Sequence, residues 1–266
     1  MVAAVSTDTI LVESDGGVVT VTLNRPERKN AGNGLMWQEL RALFDQVAHD
    51  PGARVLVVTG AGGAFCSGAD IADPKGVSGN PSDPHLVRMQ FFGEVMLALH
   101  DLPKPTIAKV RGIAAGAGMS LALGCDLVVA SDTARFSEIF AKRGLSVDGG
   151  SSWLLPRLVG LHRAKEIAYF ADILSADEAA AFGLVNRVVP DDDLDEFVEG
   201  WARRLAAGPP LALRMTKRLL NNGMLVTMAQ ALEDEARCQT VNFYSEDTAE
   251  AMRAFAEKRD PEFHGR

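Results

Sequence analysis

Two β-rich runs, residues 9–13 and 18–23, flank Asp15-Gly16-Gly17, which predicts a β-hairpin. The period of the hydrophobic positions then changes. Leu35, Met36, Leu40, Leu43, Phe44 and Val47 recur at helical spacing until Asp50-Pro51 ends the segment. Residues 54–59 predict a third strand, and residues 86–100 a second helix beyond a breaker-rich stretch from Gly60 to Pro84. Strands at 105–110 and 126–131 bracket a short helix of small residues at 116–123. Strand and helix recur in this way only if the chain crosses over a sheet repeatedly, so the expected class is α/β.

Past residue 150 the pattern becomes mostly helical. Over residues 191–207, Leu194, Phe197, Val198, Trp201 and Leu205 share one face, acidic residues open the stretch and Gly208-Pro209-Pro210 closes it. Further helices are expected at 211–221, 226–243 and 247–258. No tandem repeat or low-complexity segment interrupts the chain. Residues 1–200 are read as the core and 201–266 as a helical region of the same continuous domain.

Composition narrows the function classes. The formal net charge is −8 over 266 residues, with the acidic groups dispersed, which argues against nucleic acid as the main partner. A local basic pocket for a phosphate-bearing ligand stays compatible with that charge. Cys66, Cys125 and Cys238 are odd in number and widely spaced, as expected of reduced thiols in a cytoplasmic protein. The amino-terminal stretch lacks the pattern of a secretory signal, and no apolar run reaches the roughly 18 residues of a membrane span, so a soluble protein is expected.

Several motifs fail on inspection. Gly60-Ala61-Gly62 follows a strand, but Phe65 stands where a dinucleotide fingerprint needs its last glycine, and the next segment is too rich in breakers for the required helix. Gly118-Met119-Ser120-Leu121-Ala122 approaches a nucleophile elbow, yet the only downstream histidines, His162 and His264, have no catalytic context. Histidine spacing suggests no metal site. Two segments remain: Ala64-Phe65-Cys66-Ser67-Gly68-Ala69-Asp70-Ile71 after a strand, and Val110-Arg111-Gly112-Ile113-Ala114-Ala115-Gly116-Ala117-Gly118 where a strand passes into a helix. Each puts small residues where the backbone can approach a ligand and offer N–H groups to an anionic oxygen. Each also reads as a tight structural turn.

Taken together the two segments resemble the signature of the enoyl-CoA hydratase/isomerase (crotonase) superfamily. The resemblance extends through Leu23-Asn24-Arg25-Pro26, Asn30-Ala31, Cys125-Asp126, Phe136, the run from Leu154 to Gly160, the run from Ala179 to Val185 and the run from Phe255 to Pro261. It covers essentially the whole chain, in order.

The resemblance implies a crotonase-like (ClpP/crotonase) spiral of β-β-α units with a helical C-terminal oligomerisation region, assembled as a homotrimer or homohexamer. The ligand it implies is an acyl-CoA thioester, with coenzyme A as part of the substrate and no separate cofactor. It further implies that the N–H groups of Ala69 and Ala117 hold the thioester oxygen. Ser67, Gly68, Asp70, Ile71 and Gly116 are implied around the ligand, Arg28 and Lys29 near the CoA phosphates, and Lys258 at the CoA of a neighbouring subunit. For these three cations, solvated surface charge is the plain alternative.

The acid/base positions depart from the family's hydratases, which use two glutamates. Ser120 and Phe140 occupy those places, and neither can act as a general base near neutral pH. Glu138 lies two residues from Phe140, a spacing expected to turn it elsewhere. Asp148, in the run from Gly144 to Trp153, matches the aspartate that is the only acid/base of some family isomerases, and the nucleophile of related CoA dehalogenases. It also stands where an aspartate caps a following helix. Cys66 reads as a small buried thiol. The leading expectation is an enoyl-CoA isomerase of fatty acid metabolism using Asp148. The alternatives are a hydratase-type lyase with atypical acid/base residues and a non-catalytic acyl-CoA-binding homologue.

Overall fold

The computed structural model describes residues 5–73, 80 and 82–266. The expected hairpin forms from β2 (Ile10–Asp15) and β3 (Val18–Leu23), preceded by the short β1 (Val5–Ser6), and the three pair antiparallel. Next comes α1 (Gly34–His49), whose first turn is capped by the Asn33 side chain accepting from the Met36 N–H at 3.0 Å. After β4 (Val55–Gly60) and α2 (His85–His100), the chain runs through β5 (Thr106–Val110), β6 (Ile113–Ala115) and α3 (Ala117–Leu123). It continues as β7 (Leu127–Ser131), β8 (Arg135–Ser137), α4 (Ser151–Phe170), β9 (Leu174–Ser175), α5 (Ala176–Phe182) and β10 (Arg187–Val189). Four helices end the chain: α6 (Leu194–Ala206), α7 (Pro210–Gly223), α8 (Met228–Phe243) and α9 (Glu246–Glu257).

One sheet of seven strands has the order β1-β2-β3-β4-β5-β7-β10, parallel from β3 onward. A second, of three strands, has the order β6-β8-β9. Single parallel bridges, Cys66 with Ala114 and Gly32 with Ala69, extend that second row toward the amino terminus. Each circuit therefore lays a long strand in the large sheet, a short one in the small row, and then a helix. This is the crotonase-type spiral of β-β-α units.

Alternation places the cores. In β4, Leu56 and Val58 face the main core with Trp37, Leu40, Phe44 and Val95, while Val55 and Val57 face the opposite side. There Leu194, Val198, Ala202 and Ala206 of α6 cover them, together with Ile107 and Val129. A parallel strand buried on both faces reads as an unbroken apolar run, and Val-Leu-Val-Val is that run.

The strands and helices read from periodicity form with ends moved by a few residues. The short strands β6, β8, β9 and β10 were not expected, because two or three residues carry no period to read. The expected helix 191–207 divides into a 3₁₀ turn at Asp191–Asp193 and α6. Residues 74–79 and 81 of the breaker-rich stretch lie outside the described residues. Among the described residues no helix is long and apolar enough to cross a membrane.

Candidate active site

The two small-residue segments come together by strand pairing. The Cys66 N–H donates to the Ile113 carbonyl and the Ala115 N–H to the Cys66 carbonyl, both at 2.9 Å. Three residues beyond the bridged pair Cys66 and Ala114 stand Ala69 and Ala117. Gly32 donates to Gly68 at 2.8 Å and accepts from Asp70 at 2.9 Å, so the N–H of Ala69, between them, points away from that bridge. Ala117 opens α3, and its N–H belongs to the first turn, which has no partner inside the helix. The gap between the segments is narrow: a Cβ placed on Gly68 would stand 3.0 Å from the Ala115 carbonyl oxygen and 3.9 Å from the Ala117 nitrogen.

A clamp from the amino-terminal side holds the first segment. The fully buried Asn30 donates its side-chain amide to the carbonyls of Ala61 at 2.9 Å and Ala64 at 2.7 Å, and accepts from the Arg25 N–H at 2.9 Å. Arg25 donates to the Ala31 carbonyl and pairs with Asp70 Oδ2 at 2.9 Å. Asp70 is thus engaged with Arg25, and its Oδ1 accepts from the Ala72 N–H at 3.1 Å. Arg25 and Asn30 entered the sequence reading only as family-pattern residues, and their holding role could not be seen before their partners were known. Ser67 joins the segment to the exposed Arg28 and Lys29, donating its N–H to the Lys29 carbonyl at 3.0 Å and its hydroxyl to the Arg28 carbonyl at 3.2 Å. Ile71 lies 86 % exposed beyond them. Lys258 ends α9 in a left-handed conformation, exposed, and none of its described contacts joins these segments.

Asp148 is carried by the loop between the 3₁₀ turn Ile139–Arg143 and α4. Its side chain does not cap α4: the N-cap is Gly150, and only the Asp148 backbone carbonyl accepts from the Ser151 N–H, at 3.0 Å. Oδ1 of Asp148 is out of solvent with no hydrogen-bond partner among the described residues. Burial pushes this carboxyl up to about 6. The loop reaches α3 directly, since the Ser120 hydroxyl lies 3.2 Å from both the Asp148 and Gly116 carbonyl oxygens. Gly149 permits that contact. Its φ of +57° suits glycine, and an added Cβ would stand 2.8 Å from the Ser120 Cβ.

Glu138 is enclosed just past β8. It is not inside a helix but at the junction of β8 and the 3₁₀ turn, so helical spacing does not set its direction. The residue is fully buried, and its Oε1 accepts from the Ser151 hydroxyl at 2.9 Å. Ser151 Oγ in turn lies 2.9 Å from Ser120 Oγ. Burial pushes Glu138 up to about 7, the Ser151 hydrogen bond opposes that rise, and the charge of Asp148 adds to it. The ring of Phe140 comes against Gly116, 3.7 Å from where a Cβ would sit.

Burial also pushes the Cys66 thiol up to about 11, which keeps it protonated and unreactive near neutral pH. No cluster of three metal-binding side chains occurs among the described residues. A cavity of about 470 Å³ opens beside Gly149 and Gly150, walled by Met96, Leu97, Trp153 and Leu154 together with His100 and Asp101; Asp148, Ala69 and Ala117 do not line it.

This fold and these paired segments define an acyl-CoA-type enzyme of the crotonase class, and residues 13–266 match the family model described as Enoyl-CoA hydratase/isomerase. The chain belongs to the enoyl-CoA hydratase/isomerase family. It is 39 % identical to the 1,2-epoxyphenylacetyl-CoA isomerase of Escherichia coli over 97 % of this chain and 98 % of that one. It is 34 % identical to the short-chain-enoyl-CoA hydratase of Clostridium acetobutylicum over 94 % of this chain and 95 % of that one. The crystal structure of an enoyl-CoA hydratase from Bacillus anthracis superposes with a TM-score of 0.91 at 32 % identity, covering 97 % of this chain and all of that one. Relatives thus carry both isomerase and hydratase names.

Proposed function

We propose that this enzyme is an enoyl-CoA isomerase in which Asp148 is the acid/base. The observation that carries this reading is the Asp148 carboxyl itself: one oxygen out of solvent, unpartnered among the described residues, and not used to cap α4. Burial raises its proton affinity to about 6, which suits a group that takes a proton from one carbon of the acyl chain and returns it at another. The charge that develops on the thioester oxygen is stabilised by the N–H groups of Ala69 and Ala117, worth roughly 3–4 kcal/mol each by the measure of other oxyanion holes. CoA is part of the substrate, with Arg28, Lys29, Ser67, Gly68, Ile71 and Gly116 around it, and Lys258 serving a neighbouring subunit of a trimer or hexamer.

The experiment is turnover of a 3-enoyl-CoA against crotonyl-CoA, in the wild type and in Asp148→Asn. The isomerase reading expects turnover of the former, reduced at least about 100-fold by the substitution with CoA-ester binding retained. Unchanged kinetics in Asp148→Asn would remove Asp148 from the mechanism. Efficient hydration of crotonyl-CoA would favour a second reading, a lyase, which Glu138 supports by standing behind Ser120 as a second carboxyl.

A further inference from the structure

Glu138 has no part in a one-aspartate mechanism, yet it is the charged residue most completely enclosed near Asp148. Its enclosure is not accidental packing. Oε1 receives the Ser151 hydroxyl at 2.9 Å, Ser151 Oγ meets Ser120 Oγ at 2.9 Å, and Ser120 Oγ reaches the Asp148 carbonyl at 3.2 Å. Glu138, just past β8, is thus joined through Ser151 of α4 to Ser120 of α3, whose single hydroxyl proton is shared among Ser151 Oγ and the carbonyls of Gly116 and Asp148 in the loop before α4. At Asp148 the loop is also held by the Ser151 N–H, which donates to the same carbonyl at 3.0 Å, and Asp148 is followed by two glycines, both at positive φ.

We propose that Glu138 is a positioning residue for Asp148, its buried carboxyl acting through the Ser151 and Ser120 hydroxyls to fix the loop that presents the acid/base group and to couple the two carboxyls electrostatically. The inference rests on the reading of Asp148 as that acid/base, but its physical content is separable from the reaction. Hydroxyl networks in a dry interior hold geometry because breaking any link strands a buried polar atom. Oε2 of Glu138 is already such an atom, buried with no partner among the described residues. The titratable group set against Glu138 is Asp148; α3 contributes Ser120 and α4 contributes Ser151, both uncharged. Two carboxyls that repel each other lose their protons in two steps that belong to the pair.

The test combines three variants with a titration. Ser151→Ala leaves both carboxyls and cuts the chain between them, and should lower kcat about tenfold with little change in KM, as a misaligned base does. Glu138→Ala should do the same, and Glu138→Gln, which keeps an acceptor for Ser151, should recover most of that loss. Glu138→Gln should also erase the inflection near pH 7 from the rate profile. Carboxyl carbon NMR of the free protein follows the coupling without any turnover: Asp148→Asn should lower the Glu138 titration. Wild-type kcat in Ser151→Ala, or a Glu138 titration unmoved by Asp148→Asn, would overturn the proposal. If Glu138→Ala does not fold, Ser151→Ala and the titration decide. Coupling seen by NMR in a protein that turns over no 3-enoyl-CoA would sink the isomerase reading and leave this one standing.

Discussion

Gly118 of α3 lies against the carbonyl of Cys66 so closely that a Cβ at Gly118 would stand 2.2 Å from that oxygen. The distance between the two small-residue segments is therefore set by the absence of one methyl group. Gly118→Ala is expected to push α3 away, separating the Ala117 N–H from that of Ala69. Overpacking of this kind should destabilise the fold by about 1–3 kcal/mol. Turnover should fall about 100-fold, because an angstrom of misplacement is enough for that. Ala117→Gly keeps the N–H and should be mild. Thermal melts and kinetics on the two variants check the pair.

The rate should depend on pH through Asp148. A base works only when ionised, so kcat/KM should fall as pH drops through the value of about 6 to which burial raises this group, below the separate inflection near 7 that Glu138 contributes. An acid limb centred near the ordinary aspartate range, about 4, would mean that Asp148 is not the group that titrates in catalysis.

Stability should depend on pH through Glu138, with the opposite sign from a salt-bridged carboxylate. Burial raises this group from 4.5 to about 7, so between those values the folded protein holds a proton that the unfolded chain releases. Stability is thus lost as pH rises through that window. Glu138→Gln cannot ionise, so its stability relative to wild type should improve from about pH 4 to about pH 8, by up to the order of 3 kcal/mol. Denaturant titrations at both pH values measure this. A constant difference would place the Glu138 ionisation outside the folded core.

The last helices should assemble. Neither α7 nor α8 has a buried residue, and Leu225, Met228, Leu232, Val241 and Phe243 are all exposed on them or at their junction. Apolar surface of that extent is expected at an interface between copies. Light scattering at micromolar concentration should give a trimer or hexamer, and a monomer would reject the assembly.

The sequence alone determined the elements whose information is local. Long strands such as β4 announce themselves by an apolar run, α1 by its period, the hairpin by Gly16-Gly17, and α3 by a cluster of small residues. The two segments that carry Ala69 and Ala117 were legible for the same reason, since close backbone approach needs small side chains. Tertiary structure decided what depends on partners far along the chain. Strands of two or three residues, β6, β8 and β9, exist only because a neighbour supplies their hydrogen bonds. Arg25 acquires its role from Asp70, and Asn30 from Ala61 and Ala64, more than thirty residues away. The sequence could not tell that Asp148 meets the start of α4 through its backbone carbonyl and not its side chain, with Oδ1 lacking a partner among the described residues. Spacing alone also could not name the partner of Glu138. At the end of β8 its direction is set instead by Ser151, which the fold brings to it from the next helix.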